Sequence, residues 1–158
     1  MSPSALAPEA FALLQRVHGH IALLGLAVLF HPVLTLGRRA LTRGTRWTLH
    51  LAVALVTAST ALGWWLYPAY RSGVKPRLIH EHPGWALAFE TKEHLALFCL
   101  VLTWAGVGAL LRSGASAAVR RASRVALSLA FLCGIAAAAL GIGVAAVGSP
   151  AWPTSPGG

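Results

Sequence analysis

Aspartate is absent from this 158-residue chain, and glutamate occurs four times. With no Asp and most serines lying between the apolar runs, a Ser-His-Asp hydrolytic arrangement cannot be built. Charged residues of every kind make up only 11%, against about 25% in a typical soluble domain. That is too few to coat a water-facing surface, which excludes an ordinary soluble enzyme. Two cysteines do not make a disulfide scaffold. No P-loop, dinucleotide-binding glycine pattern, C-x-x-C-H or zincin motif occurs. What is plentiful is apolar: 56% hydrophobic residues and a mean hydropathy of +0.67, which also excludes a disordered tail. The 13 Lys and Arg against 4 acids give +9. These charges punctuate long apolar runs, the pattern of a membrane protein rather than of a nucleic-acid binder.

Four runs are long enough to cross a hydrocarbon core, which needs roughly 20 helical residues: residues 17–36, 47–67, 95–111 and 125–147. Helices are required, since open strands leave backbone groups unpaired in lipid. The expected fold is all-α: a four-transmembrane-helix bundle over residues 1–148, followed by a flexible Pro/Gly-rich tail over 149–158. Good helix formers from Trp85 to His94, after Pro83 and Gly84, predict that the third helix starts before its apolar run. The segment between spans one and two carries Arg38, Arg39, Arg43 and Arg46, and that between spans three and four carries Arg112, Arg120, Arg121 and Arg124, with no acid in either. The positive-inside rule makes both cytoplasmic. Both termini and the long 68–89 loop then lie outside, in the periplasm if the host is the inner membrane of a bacterium. The N-terminus lacks a basic n-region and a cleavage site, so span one reads as retained. Counting from the outer span ends puts Cys99 and Cys133 about nine residues, roughly 13 Å, apart in depth, too far for a disulfide.

Seven histidines in so apolar a chain are the informative anomaly, because ionisable side chains inside spans are costly and usually face the bundle interior. His20 and His31 lie eleven residues apart, so they project within about 20° of each other and about 16 Å apart along the axis. His18 points away from His20, and an ideal helix cannot turn both inward. His31 and His50 sit at similar depth near the cytoplasmic ends of spans one and two. His20 and His94 sit at similar depth near the outer ends of spans one and three. Room for a flat group is offered by Ala27, and by Ala54, Thr57 and Ala61 on the His50 face. Span four supplies further small positions, among them Gly134, Ala137, Ala139, Gly141 and Gly143.

The arrangement resembles the membrane b-type cytochromes, in which paired histidines from facing helices of a four-helix core hold two stacked haems. The likeness is architectural, covers the four spans and identifies no specific family. It implies two haem b groups, the outer held by His20 with His94 and the inner by His31 with His50. The function it implies is one-electron transfer across or along the membrane, with a quinol donor and a periplasmic redox partner. Two other readings stand beside it. Glu90, Glu93 and His94 at the outer mouth, with His18 or His20, form a donor set suited to copper, zinc or iron, although Lys92 is placed to neutralise one of the carboxylates. Alternatively the chain is a cofactor-free accessory or assembly subunit, a homodimer or part of a larger complex, with the small-residue face of span four packed on a partner. The 68–89 segment, with Arg71, Lys75, Arg77 and His80-Glu81-His82, reads as an exposed loop. The Trp and Tyr residues at span ends (Trp47, Trp64, Trp65, Tyr67, Tyr70, Trp85) read as an interfacial belt.

Overall fold

Thr42 and Ser116 begin the two helices that follow the arginine-rich segments. The Thr42 hydroxyl accepts from the Thr45 amide at 3.1 Å, and the Ser116 hydroxyl from the Val119 amide at 3.3 Å, the usual satisfaction of orphan N–H groups at a helix start. The computed structural model describes residues 8–36, 41–112 and 116–148. These form five helices: α1 (Pro8–Thr35), α2 (Arg43–Gly73), α3 (Lys75–Glu81), α4 (Pro83–Arg112) and α5 (Ala117–Gly148). All but α3 are long and apolar enough to cross a membrane, and the chain is a multi-pass, all-helical membrane protein. The 149–158 tail lies outside the described residues.

The helices exceed their apolar runs. Helix α2 continues past Pro68 to Gly73, and α4 starts at Pro83, as the helix formers after Gly84 predict. The 68–89 segment is therefore not a loop. It comprises the end of α2, the short α3 and the start of α4. Leu78 of α3 is buried against Phe89 and Val144, with Tyr67, Tyr70 and Trp85 around them. This apolar plug closes one end of the bundle. Tyr67, Tyr70 and Trp85 thus pack inward, while Trp47 and Trp64 remain exposed.

Around the bundle, α1 packs on α2 and α5, and α4 packs on α5 and α2. Helices α1 and α4 are therefore diagonal to each other. The core at mid-depth is built from Leu29, Leu49, Ala52, Val56, Cys99, Val107 and Leu127. Two glycines set the close approaches. A Cβ on Gly106 would stand 3.0 Å from Leu127 Cγ and 3.3 Å from the Ser123 carbonyl oxygen. A Cβ on Gly134 would collide with Leu26 of α1 and come within 3.2 Å of Cys99 Sγ of α4. Gly141 and Gly143 likewise face Lys92 and Trp85. These three glycines of α5 meet its own neighbours, whereas Ala139 is exposed. Such packing, more than burial from water, is what associates helices in lipid.

The Gly134 contact also corrects the cysteine depths. Cys99 lies beside the residue that follows Cys133, so the two thiols share a level. The count from span ends failed because α4 extends twelve residues beyond its apolar run. Both thiols are free.

Candidate functional site

Charge divides between the two ends. The four glutamates, Glu9, Glu81, Glu90 and Glu93, all lie at the end that carries α3, whereas Arg43, Arg46, Arg112, Arg120, Arg121 and Arg124 lie at the other. At the α3 end a polar group sits within the bundle. His18 Nδ1–H donates to the Ser59 carbonyl at 3.0 Å. A carbonyl only accepts, so Nδ1 carries the proton. Gly63 makes room for that ring, since a Cβ there would lie 3.0 Å from His18 Cε1. One turn away, the Gln15 amide donates a hydrogen bond to the Tyr70 hydroxyl. Lys92 extends inward, its Nζ 4.7 Å from the centre of the Phe89 ring and 5.7 Å from that of Tyr70, within cation–π range. Among the described residues no carboxylate lies within ion-pair distance of Lys92.

Above this group, Lys75 of α3 pairs with Glu90 of α4 at 2.7 Å, and Arg77 pairs with Glu81 at 2.9 Å. Hydrogen bonding to Glu90 raises the Lys75 ammonium above its ordinary value. Hydrogen bonding to Arg77 lowers the Glu81 carboxyl below its own. Glu90 is thus engaged by Lys75 rather than Lys92.

The histidines singled out by depth are level with one another, but they do not converge. From the shared Gly134 level, His20 stands six residues toward the α3 end on α1 and His94 five residues on α4, about 9 Å and about 7.5 Å by the helix rise. Both are exposed, and they belong to diagonal helices. Each ring is tethered to the carbonyl one turn back: His20 Nδ1–H to Arg16 at 2.7 Å, and His94 Nδ1–H to Glu90 at 2.8 Å. His31 is also exposed and meets the Thr48 hydroxyl at 3.3 Å. The buried stripe of α2 passes through Leu49. Thr48 and His50 therefore fall on opposite flanks of it, about 200° apart, and His50 is exposed as well. Neither expected pair forms inside one chain. Paired imidazoles do not converge on a common point, so two bis-histidine haems do not fit a single copy.

The outer-mouth donor set is likewise dispersed: His18 is turned to Ser59, Glu90 to Lys75, and His20 and His94 outward. Among the described residues no group of three or more His, Cys, Asp or Glu side chains is placed to hold a metal ion. The His50 face leads along the outside of α2 to an open groove of about 420 Å³ lined by Thr57, Thr60, Ala61, Trp64, Trp65 and Leu100. The Trp104 indole donates to Thr57 at 3.0 Å beside it. Of the small residues on the His50 face, Thr57 and Ala61 thus line an exterior groove.

Gln15, Ser59, Tyr70 and Lys92 went unrecognised as a group. The one available signal was the i, i+3 spacing of Gln15 and His18 on α1. Comparison with protein-family models, with curated proteins and with solved structures finds no match to the chain.

Proposed function

We propose that the chain is a subunit of a membrane assembly, with its arginine-rich end in the cytoplasm of a bacterial-type inner membrane and its histidine-bearing exterior meeting another chain. The observation that carries this is the outward placement of His20, His31, His50 and His94 on helices built to lie in lipid. Polar rings against acyl chains are costly, and an interface that supplies hydrogen-bond partners removes that cost. Photo-crosslinking residues placed at positions 20, 31, 50 and 94 in native membranes test it. Adducts to a protein chain, a second copy included, support the reading. Adducts to lipid alone at all four positions overturn it.

A second reading is favoured by the ring tethers. With Nδ1–H held by a carbonyl, the Nε2 of His20 and of His94 is the free, lone-pair-bearing nitrogen. This is the state in which backbone-tethered imidazoles ligate metal centres. His20 and His94 would each provide one axial ligand to a haem shared with another chain, and such a group supplies one-electron transfer. The absorption spectrum of the intact assembly decides this. A Soret band that weakens in His20→Ala and His94→Ala but persists in His31→Ala supports it. A colourless preparation removes the haem and leaves the assembly reading untouched.

A further inference from the structure

Helix α3 is set into the chain between two single-residue joints, Val74 toward α2 and His82 toward α4. The backbone at His82 has φ −144° and ψ 67°, which breaks the helical path. Gly73 ends α2 and Gly84 is the second residue of α4, and a Cβ on either would meet nothing within 4 Å. Neither glycine serves a close approach, so what each contributes beside its joint is backbone freedom. A seven-residue helix is too short to persist without packing. Of its residues Leu78 alone is buried, against Phe89 and Val144, and Lys75 ties it to α4 through Glu90 at 2.7 Å. Directly beneath Leu78 lies the polar group. The Phe89 ring on which Leu78 rests holds Lys92 Nζ 4.7 Å from its centre. Its other neighbour, the Tyr70 ring 5.8 Å away, carries the bond from Gln15.

From the two joints, the single buried side chain and the polar group it covers, we propose that α3 is a lid, which lifts about Val74 and His82, draws Leu78 off Phe89 and opens Lys92 to water-soluble molecules. Closed, it shields an ammonium held among aromatic rings; open, it lets that ammonium hydrate. A segment seated by one apolar side chain belongs to the low-stability end of a structure, where local opening precedes global unfolding. The long helices α2 and α4 keep their own packing on the bundle, so the motion is confined to the strap between them.

Lys75 and Lys92 are the only lysines of the chain, which makes amine labelling a direct readout. The full chain in phosphatidylcholine nanodiscs is treated with a water-soluble, membrane-impermeant acetylating ester, and acylation of each lysine is followed by mass spectrometry. In wild type Lys92 should react much more slowly than Lys75, at a rate set by the open fraction. Leu78→Ala removes the seat of the lid and should speed Lys92 by about thirtyfold or more, the equivalent of about 2 kcal/mol at the low end of leucine truncation. Ile79→Ala makes a similar cut at a side chain that is 50% exposed and should leave the Lys92 rate unchanged. Glu90→Gln removes a solvent-exposed tie and should speed Lys92 a few-fold at most. A wild-type Lys92 as reactive as Lys75, or equal rates in Leu78→Ala and Ile79→Ala, overturns the lid. A second arm needs no substitution. Carbodiimide condenses the Lys75 amine and the Glu90 carboxylate into an amide, with water passing to the carbodiimide, and so ties the lid down. Lys92 in the coupled species should react more slowly than in untreated chain, and an unchanged rate overturns the proposal. This arm decides alone if circular dichroism shows Leu78→Ala to be unfolded.

Discussion

Gly106→Ala and Gly108→Ala place the same methyl group two residues apart on α4, and only the first meets a neighbouring helix. The new methyl at 106 stands 3.0 and 3.1 Å from Leu127 Cγ and Cδ2 and 3.3 Å from the Ser123 carbonyl oxygen, whereas at 108 nothing lies within 4 Å. Leu127 cannot simply swing its tip away, because the closest atom is its branch point and the third neighbour is backbone. Relief therefore requires α4 and α5 to separate by a few tenths of an ångström. Overpacking of this kind costs about 1–3 kcal/mol. Replacing glycine by alanine within a helix returns about 1 kcal/mol at either position, a gain that cancels in the comparison. Gly106→Ala should thus be less stable than Gly108→Ala by about 1–3 kcal/mol, roughly five- to 150-fold in the unfolding equilibrium. Reversible unfolding in mixed micelles of rising sodium dodecyl sulfate content, followed by circular dichroism and tryptophan fluorescence, measures the difference. Equal stabilities, or a more stable Gly106→Ala, would refute the α4–α5 register, and with it the placement of His94 on the exterior.

Two further expectations concern the α3 end. The Glu81 carboxyl is held below its ordinary pKa, so its pairing with Arg77 stabilises α3 above the ordinary carboxylate range and is lost as pH falls through the lowered value. The Lys75 ammonium is held above its ordinary value, so that contribution is full below the usual lysine pKa and fades as pH rises through the raised one. Amide protection of residues 75–81, corrected for intrinsic exchange, should decline at both extremes. Arg77→Gln should weaken the acid limb without abolishing it, since Glu90 must also stay ionised to hold Lys75, and should leave the alkaline limb in place; an unchanged acid limb in that variant would contradict the assignment. Lys92→Met keeps the length and shape of the side chain and removes its charge. The cation–π contribution lost is about 1–2 kcal/mol, while the relieved cost of holding an unpaired ammonium among rings is several kcal/mol. Stability in the same micelle titration should hold steady or rise, and a fall of more than about 2 kcal/mol would mean that Lys92 has a partner elsewhere in the assembly.

Depth was legible in the sequence; direction was not. His31 with His50, and His20 with His94, are level as their distances from the span ends suggest, because hydropathy reports position along the membrane normal. Azimuth depends on which stripe of a helix packs, and α1 carries Leu23, Leu24, Leu26, Leu29 and Phe30 on all sides, so no apolar stripe marks its inner face. His18 is nonetheless the inward ring, chosen by Ser59 and Gly63 on α2, residues some forty positions away. The cysteine depths fail for a related reason: they are counted from the apolar run, whose start the polar residues Glu90, Lys92 and Glu93 delay, and not from the earlier helix start that the residues after Gly84 predict. Helix α3 is not legible in the sequence because about two turns, with Leu78 as the main buried residue, have too few residues to display a period.

The segregation of charge between the two ends has an electrical consequence. Counting the described residues, the arginine end carries six positive charges, and the α3 end carries Arg16, Arg71, Lys75, Arg77 and Lys92 against four glutamates. The two ends thus differ by about five elementary charges. In an energised bilayer, each charge moved through the field is worth about 2.3 kcal/mol per 100 mV, so, with the arginine end on the negative side as proposed, inverting the molecule would cost about 11.5 kcal/mol at that voltage. The resting potential of the membrane itself would therefore act as a lock on which way the bundle stands.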